Sequence, residues 1–303
     1  MMSAVFRTVY EELFRQEEWN IGIVREPITA FLDPSTKHTV SWLPSVGGMK
    51  YLADPFGVAM GEELYVFCEE YDYRTRKGRI VCIEVTPEGV ASRPVVALEL
   101  SHHMSYPYLL EDDGEIYCVP ETGDAKEIGL YKSTDFPYEW RKIATLIDDF
   151  AGRDTTIFRH EDLLWLASFE DYETSCKLLL WYSSSLFGPW VAHAANPVKT
   201  DLGSSRPAGT PFTHEGYLFR PAQDCSVTYG GRIVLNRVKK LTPTEFTEER
   251  AAVIEPSSNG PYPDGLHTIS TVGNITLIDG KRYMSQKSTF KNAFIRAVTY
   301  LAR

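Results

Sequence analysis

Hydrophobic residues along the chain come in short runs, many alternating with polar residues, and each run is closed by turn-forming residues. That pattern predicts many short β-strands. Aromatic residues at 13%, with 18 Pro and 21 Gly, agree with a strand-and-turn chain.

The runs also repeat. ADPFGVAMGEELYVFCEE, from Ala53, aligns without gaps to SYPYLLEDDGEIYCVPET, from Ser105: Pro55 falls on Pro107, Phe56 on Tyr108, Tyr65 on Tyr117 and Glu69 on Glu121. RDTTIFRHEDLLWLASFED, from Arg153, continues the series with Asp154 opposite Tyr106 and Trp165 opposite Tyr117. LYKSTDFPYEW and LWYSSSLFGPW bring Trp140 and Trp190 into the same register. A fourth copy, RPAGTPFTHEGYLFRPAQDC, starts at Arg206, and a fifth, GLHTISTVGNITLIDGKRYM, starts at Gly265 with Asp279-Gly280 read as a turn before a strand. A period of about 50 residues marks propeller blades. Each unit reads as four strands, the last ending near a Trp, with EDDGE, HED, HEG and IDGK as hairpin turns.

The prediction is therefore all-β: one five-bladed β-propeller over residues 1–303, built from four-stranded antiparallel blades starting near 53, 105, 153, 206 and 265. Residues 1–40 supply a short amphipathic N-terminal helix and, in WNIGIVREPI (19–28), a strand that closes the ring. A β-sandwich or a pair of all-β domains would make the gapless matches accidental.

In a propeller the first strand of each blade lines the central channel, so residues at equivalent repeat positions converge. Those positions hold Asp54, then His102, His103, Ser105 and Tyr106, then Arg153 and Asp154, then Arg206, then His267. A second ring comes from the ends of the second strands: Glu69 with Glu70, Glu121, Glu170 with Asp171, and Gln223 with Asp224, Arg220 being expected to pair with Asp224. Asp54 and Asp154 could instead cap turns, as Asx residues do. One of the adjacent Glu69 and Glu70 must face away from the other.

Carboxyl groups from different blades suit glycosidic cleavage or transfer, which places two of them across the scissile bond. Asp54 is the candidate base or nucleophile, with Asp154 or Glu121 as acid. Substrate-binding candidates are His103, Tyr106, Arg153, Arg206, Arg220, Asp224, His267 and Glu69. Trp42, Tyr51, Tyr71, Tyr106 and Tyr262 offer faces for sugar rings.

Composition narrows the partners. With 31 Lys and Arg against 41 Asp and Glu, the net charge is -10, which disfavours nucleic acid and anionic membrane. The amino terminus has neither the pattern of a signal peptide nor that of a membrane span. Five dispersed cysteines read as reduced, buried thiols of a cytoplasmic protein. There is no Cys-x-x-Cys, Walker loop or GxGxxG. The expected ligand is a sugar or glycoconjugate, and no cofactor is required.

Asp54-Pro55 on the first inner strand, with the blade repeat, resembles the five-bladed glycoside hydrolases of the arabinanase, levansucrase and invertase group. The resemblance implies that Asp54 is the base or nucleophile. That group places a second Asp in the next blade and a Glu in the third, where this chain has Tyr106 and Asp154. It further implies that His267, in blade five, is a ligand of a central divalent cation such as calcium. The run of ADPF, SYP, PET, DTT, GPW, NPV, RPAQD and HT more specifically resembles the propeller-like amino-terminal region of plant glucosamine inositolphosphorylceramide transferases. Three function classes stay open: a glycosidase-like enzyme, a noncatalytic glycan-binding propeller, and a propeller enzyme of another reaction class.

Overall fold

The structure, a computed structural model, describes residues 16–172 and 175–284. Its 21 strands make five antiparallel sheets arranged as blades around one axis. The chain opens with β1 (Glu17–Val24) and β2 (Val40–Trp42). Blade 1 is β3 (Lys50–Met60), β4 (Glu63–Asp72), β5 (Lys77–Val85) and β6 (Val95–Leu98). Blade 2 is β7 (Ser105–Asp112), β8 (Glu115–Glu121), β9 (Glu127–Asp135) and β10 (Glu139–Asp148). Blade 3 is β11 (Arg153–His160), β12 (Leu163–Tyr172), β13 (Ser175–Ser183) and β14 (Val191–Ala192), with β15 (Lys199–Thr200) also on β13. Blade 4 is β16 (Phe212–His214), β17 (Tyr217–Asp224), β18 (Arg232–Leu241) and β19 (Phe246–Ile254). Blade 5 takes β20 (Ile269–Val272) and β21 (Ile275–Tyr283) from one end of the chain and β1 and β2 from the other.

The predicted ring closure is thus the β1–β21 ladder, which pairs Glu17 with Tyr283 and runs through to Val24 with Thr276. The predicted N-terminal helix lies outside the described residues. Asp279-Gly280 is not a turn: it lies inside β21, and the hairpin turns at Gly273. A Cβ on Gly280 would stand 2.4 Å from the Trp42 ring and 2.8 Å from Tyr262, so glycine is there for close packing. Trp140 opens the outer strand of its blade rather than ending it.

The core lies between blades. Phe67, Ile80 and Cys82 of blade 1 meet Cys118 and Tyr131 of blade 2, and Trp165 and Leu178 of blade 3 meet Leu218 and Val238 of blade 4. Each blade therefore buries its faces only against its neighbours. All five cysteines are free, and among the described residues no helix is long and apolar enough to cross a membrane.

One local device recurs. The inner strands of blades 1, 2 and 3 break register with their partners between Ala53 and Phe56, between Ser105 and Tyr108, and between Arg153 and Thr156. At each break the aligned residue is left-handed: Asp54 at φ 55°, Tyr106 at 44° and Asp154 at 47°. Such conformations cost on the order of 1–3 kcal/mol each, and bulges of this kind re-aim a side chain. Tyr106 is fully buried, and its hydroxyl meets Thr156 Oγ1 at 2.9 Å and accepts the Gly209 N–H at 2.6 Å. The ring thereby ties blade 2 to blades 3 and 4.

Replacing Tyr106 with Phe should leave the Gly209 amide without its partner and cost about 1–3 kcal/mol. Thermal unfolding should show a midpoint lowered by a few degrees. An unchanged midpoint would mean that this hydroxyl contributes nothing to joining the blades.

Candidate functional site

The bulged amides and the acids form two runs of bonds around the axis. Asp279 Oδ2 accepts the Asp54 N–H at 3.2 Å, and Asp54 Oδ2 accepts the Tyr106 N–H at 3.2 Å. Glu121 Oε2 accepts the Asp154 N–H at 3.1 Å. Asp154 Oδ2 in turn receives Arg206 Nε and, at 3.0 Å, the Gln223 amide. In each of the first three bonds the acid belongs to the preceding blade, so the left-handed residue is held by a neighbour rather than by its own sheet.

Blade 5 adds a second cluster. Asp279 Oδ1 accepts the backbone N–H groups of His267 at 2.8 Å and Thr268 at 3.1 Å, and its Oδ2 lies 2.6 Å from His267 Nδ1. The Thr268 hydroxyl donates to Asp54 Oδ1 at 2.7 Å. Trp19 stacks on the His267 ring with centroids 4.0 Å apart. One ligand atom each from Asp54, His267 and Asp279 lie within 4.8 Å of one another.

Five buried carboxyl groups thus surround the axis. Burial, then the Asp154 charge, lifts Glu121 to about 8 against the partial relief of Arg206 and Arg153. Burial also lifts Asp54 to about 6, with His267 opposing and Asp154 and Asp279 adding to it. Glu69 is held well above the usual range by burial and by Asp54, Glu121 and Asp154. Burial works against the charged form of His267, but Asp279 and Asp54 more than offset it, and its pKa rises. The well therefore keeps some carboxyl groups protonated near neutral pH while others stay ionised.

A pocket of about 480 Å³ opens beside these groups, lined by His103, Glu121, Gly123, Lys126, Arg153 and Glu170 among others. His103 Nδ1 accepts the Gly78 N–H at 2.9 Å, which fixes the proton of the neutral ring on Nε2, 3.7 Å from Glu69 Oε1. Burial and then Arg153 and His102 outweigh Asp124 and lower the pKa of His103.

The family described as glucosamine inositolphosphorylceramide transferase 1, N-terminal, matches residues 38–261, well over half of the chain. The chain belongs to this family. The glucosamine inositolphosphorylceramide transferase 1 of Oryza sativa subsp. japonica is 33% identical over 269 residues, covering 83% of this chain and 36% of the relative. The Arabidopsis thaliana protein of the same name is 32% identical over 276 residues, covering 86% and 35%. The chain thus spans about a third of the length of these relatives. Among solved structures, a family 117 glycoside hydrolase from Zobellia galactanivorans is similar with a TM-score of 0.56 at 15% identity, covering 88% of this chain and 91% of that one. An exo-1,5-alpha-L-arabinanase from a bovine ruminal metagenomic library has a TM-score of 0.52 at 12% identity, covering 71% and 86%. These two likenesses bear on the fold.

In this member of the transferase N-terminal family, the repeat positions do converge: Asp54, Glu69, Glu121, Asp154, Arg206 and His267 all meet around the axis, with Arg153 and His103 at the pocket edge. Other expectations need correction. Arg220 does not pair with Asp224; its guanidinium is buried against Glu248, Oε1 to Nη2 2.6 Å, and the carbonyls of Ser204 and Ser205. Asp224 binds Arg232 at 2.8 Å and the backbone of Ser226 at 3.0 Å. Tyr106, expected to meet ligand, has its hydroxyl committed inside the fold. Asp154, an acid candidate, is an ion-pair partner of Arg206. Trp42 and Tyr262 line a separate pocket of about 570 Å³ in the wedge between blades 4 and 5. The side chain of Asp171 lies outside the described residues.

Asp279 escaped the sequence reading because Asp-Gly is a turn signal. Its place opposite Thr268, the counterpart of Glu69 opposite Ala53, could have exposed it.

Raised carboxyl pKa values make a stability prediction. A folded-state pKa of about 8 for Glu121, above the ordinary value in the unfolded chain, means that folding binds a proton between those two pH values. Stability should therefore fall as pH rises from about 5 to about 8. Glu121→Gln keeps an acceptor for the Asp154 amide and removes the titrating group. Thermal unfolding at both pH values should show the variant losing less than the parent, and equal losses would contradict the raised value.

Proposed function

We propose that the protein binds a sugar in the axial well and breaks or transfers a glycosidic linkage there. The observation that carries this reading is the gathering of the buried acids Asp54, Glu121 and Asp154 around one axis, with Glu121 on the open pocket, where burial lifts Glu121 to about 8 and Asp54 to about 6. Carboxyl groups pushed apart in this way supply an acid and a base at the same pH. Glu121, on the open pocket, would protonate the leaving oxygen as the glycosidic bond breaks. Asp54 would take the proton of the attacking hydroxyl, or itself attack the anomeric carbon. Asp154, paired with Arg206, is the carboxyl group that acts on both Glu121 and Asp54, and it would stabilise positive charge that develops on the sugar ring. The names of the family and of its transferase relatives, and the hydrolases that share the fold, support a glycan as the ligand.

A noncatalytic glycan-binding role is favoured by one observation: both Asp54 oxygens already hold protein donors, the Thr268 hydroxyl and the Tyr106 amide. Assay of a panel of nitrophenyl glycosides separates the two. An enzyme should show a bell-shaped pH profile with limbs near 6 and 8, since activity needs Asp54 ionised and Glu121 protonated. Asp54→Asn and Glu121→Gln should each lower turnover by about 10²–10⁴-fold with sugar binding retained. Binding without turnover in the parent would leave the noncatalytic role standing.

The same well suits a divalent cation in donor type, Asp54, His267 and Asp279 offering two carboxylates and an imidazole. Bound there, a cation would supply positive charge that lowers the Asp54 pKa. Because His267 Nδ1 already faces Asp279, it would enter by replacing a proton. Calcium should raise the thermal midpoint and EDTA should lower that of the protein as purified. His267→Gln should abolish these shifts, and a parent that shows neither would remove the cation from the site.

A further inference from the structure

Tyr229 stands in the loop between β17 and β18, on the same face as the bulged inner strands, and it was not among the aromatic residues picked from the sequence. It is 44% exposed, yet the loop that carries it is pinned at nearly every residue. The Cys225 N–H donates to the Leu202 carbonyl at 2.9 Å, Ser226 binds Asp224, and the hydroxyls of Thr228 and Tyr283 meet at 3.2 Å. The Tyr229 carbonyl receives the ammonium of Lys281, a fully buried residue. Gly230 takes φ 56°, and a Cβ there would come within 2.6 Å of Trp19 and 3.0 Å of His267.

The ring touches both halves of the well. The Arg206 guanidinium, which pairs with Asp154, lies 5.0 Å from its centroid. The ring lies T-shaped to His267, the partner of Asp279, with centroids 5.4 Å apart at 83°, and to Trp19 at 6.1 Å and 75°, and its hydroxyl accepts from Arg206 Nη2 at 3.5 Å. These contacts hold the ring in place while much of it stays open to solvent.

We propose that Tyr229 is the stacking platform of the well, on which a sugar lays its C–H face so that its hydroxyls turn toward the carboxyl groups around the axis. This rests on the reading that the well takes a sugar. The fixed loop lowers the ordering cost of binding, and the ring supplies a flat apolar surface that none of the acids can. Tyr229 acts as a positioning residue, so it should govern affinity rather than the chemical step.

The experiment compares the parent protein with Tyr229→Ala and Tyr229→Phe, using saturation-transfer NMR on a panel of methyl glycosides and kinetics on any nitrophenyl glycoside that is turned over. Tyr229→Ala should weaken binding about fivefold to tenfold, as a raised KM with kcat little changed, while Tyr229→Phe stays within about twofold of the parent. Both variants should keep the parent's unfolding midpoint. Unchanged sugar binding in Tyr229→Ala would overturn the platform and leave the proposed function intact. A drop in unfolding midpoint that accounts for all lost binding would make Tyr229 a support for Arg206 and also overturn it. If the parent binds no member of the panel, both the platform and the sugar-binding reading fall.

Discussion

The structure turns on a backbone amide held by a carboxylate from the blade before it. Three inner strands place a left-handed, non-glycine residue at the same repeat position, a conformation that the sheet itself cannot support because the ladder is broken there. Asp279, Asp54 and Glu121 supply the missing partners. Burying those acids is costly, and each bond recovers part of that cost while charging the axis of the ring. Acidity at the centre and strain in the inner strands are therefore two sides of one arrangement. An acid removed there for the sake of chemistry would also loosen the neighbouring blade.

The same economy explains why the acids differ. Asp154 pairs with Arg206, whereas among the described residues Glu121 and Glu69 have no cation in hydrogen-bonding contact, and burial pushes them toward their neutral forms. Tyr106 fits this logic as the one bulge residue without a charge. Where blades 1 and 3 present Asp, blade 2 presents a hydroxyl that closes the channel onto Gly209.

Repetition made the fold legible in the sequence, because blade position converts directly into distance from the axis. Asp54, Glu121, Asp154 and His267 could be placed by alignment alone. What failed did so for local reasons. Asp279-Gly280 carries the chemistry of a turn, but Gly280 is small to make room for Trp42 and Tyr262 across the blade. Arg220 was assigned to Asp224 by proximity in sequence, whereas its partner Glu248 comes from the outer strand of the same blade. Tyr229 sits in a loop outside the repeat register, so no periodic argument could reach it. Repeats report what blades share, and these three positions depend on what each blade does alone.

The seam of the ring has a consequence for the order of assembly. Blade 5 joins β1 to β21, which the whole of blades 1 to 4 separates along the chain, and it brings His267 and Asp279 to the axis. Blades 1 to 4 can each form their own hairpins as they emerge, but the amide of Asp54 has no acid to bind until residue 279 has been made. During synthesis β1 can pair with β2, but its other edge stays open until β21 follows. The bond between Asp279 and the Asp54 amide therefore forms only after blades 1 to 4 have been made, and the ring carries an open edge on both sides of the gap until it does.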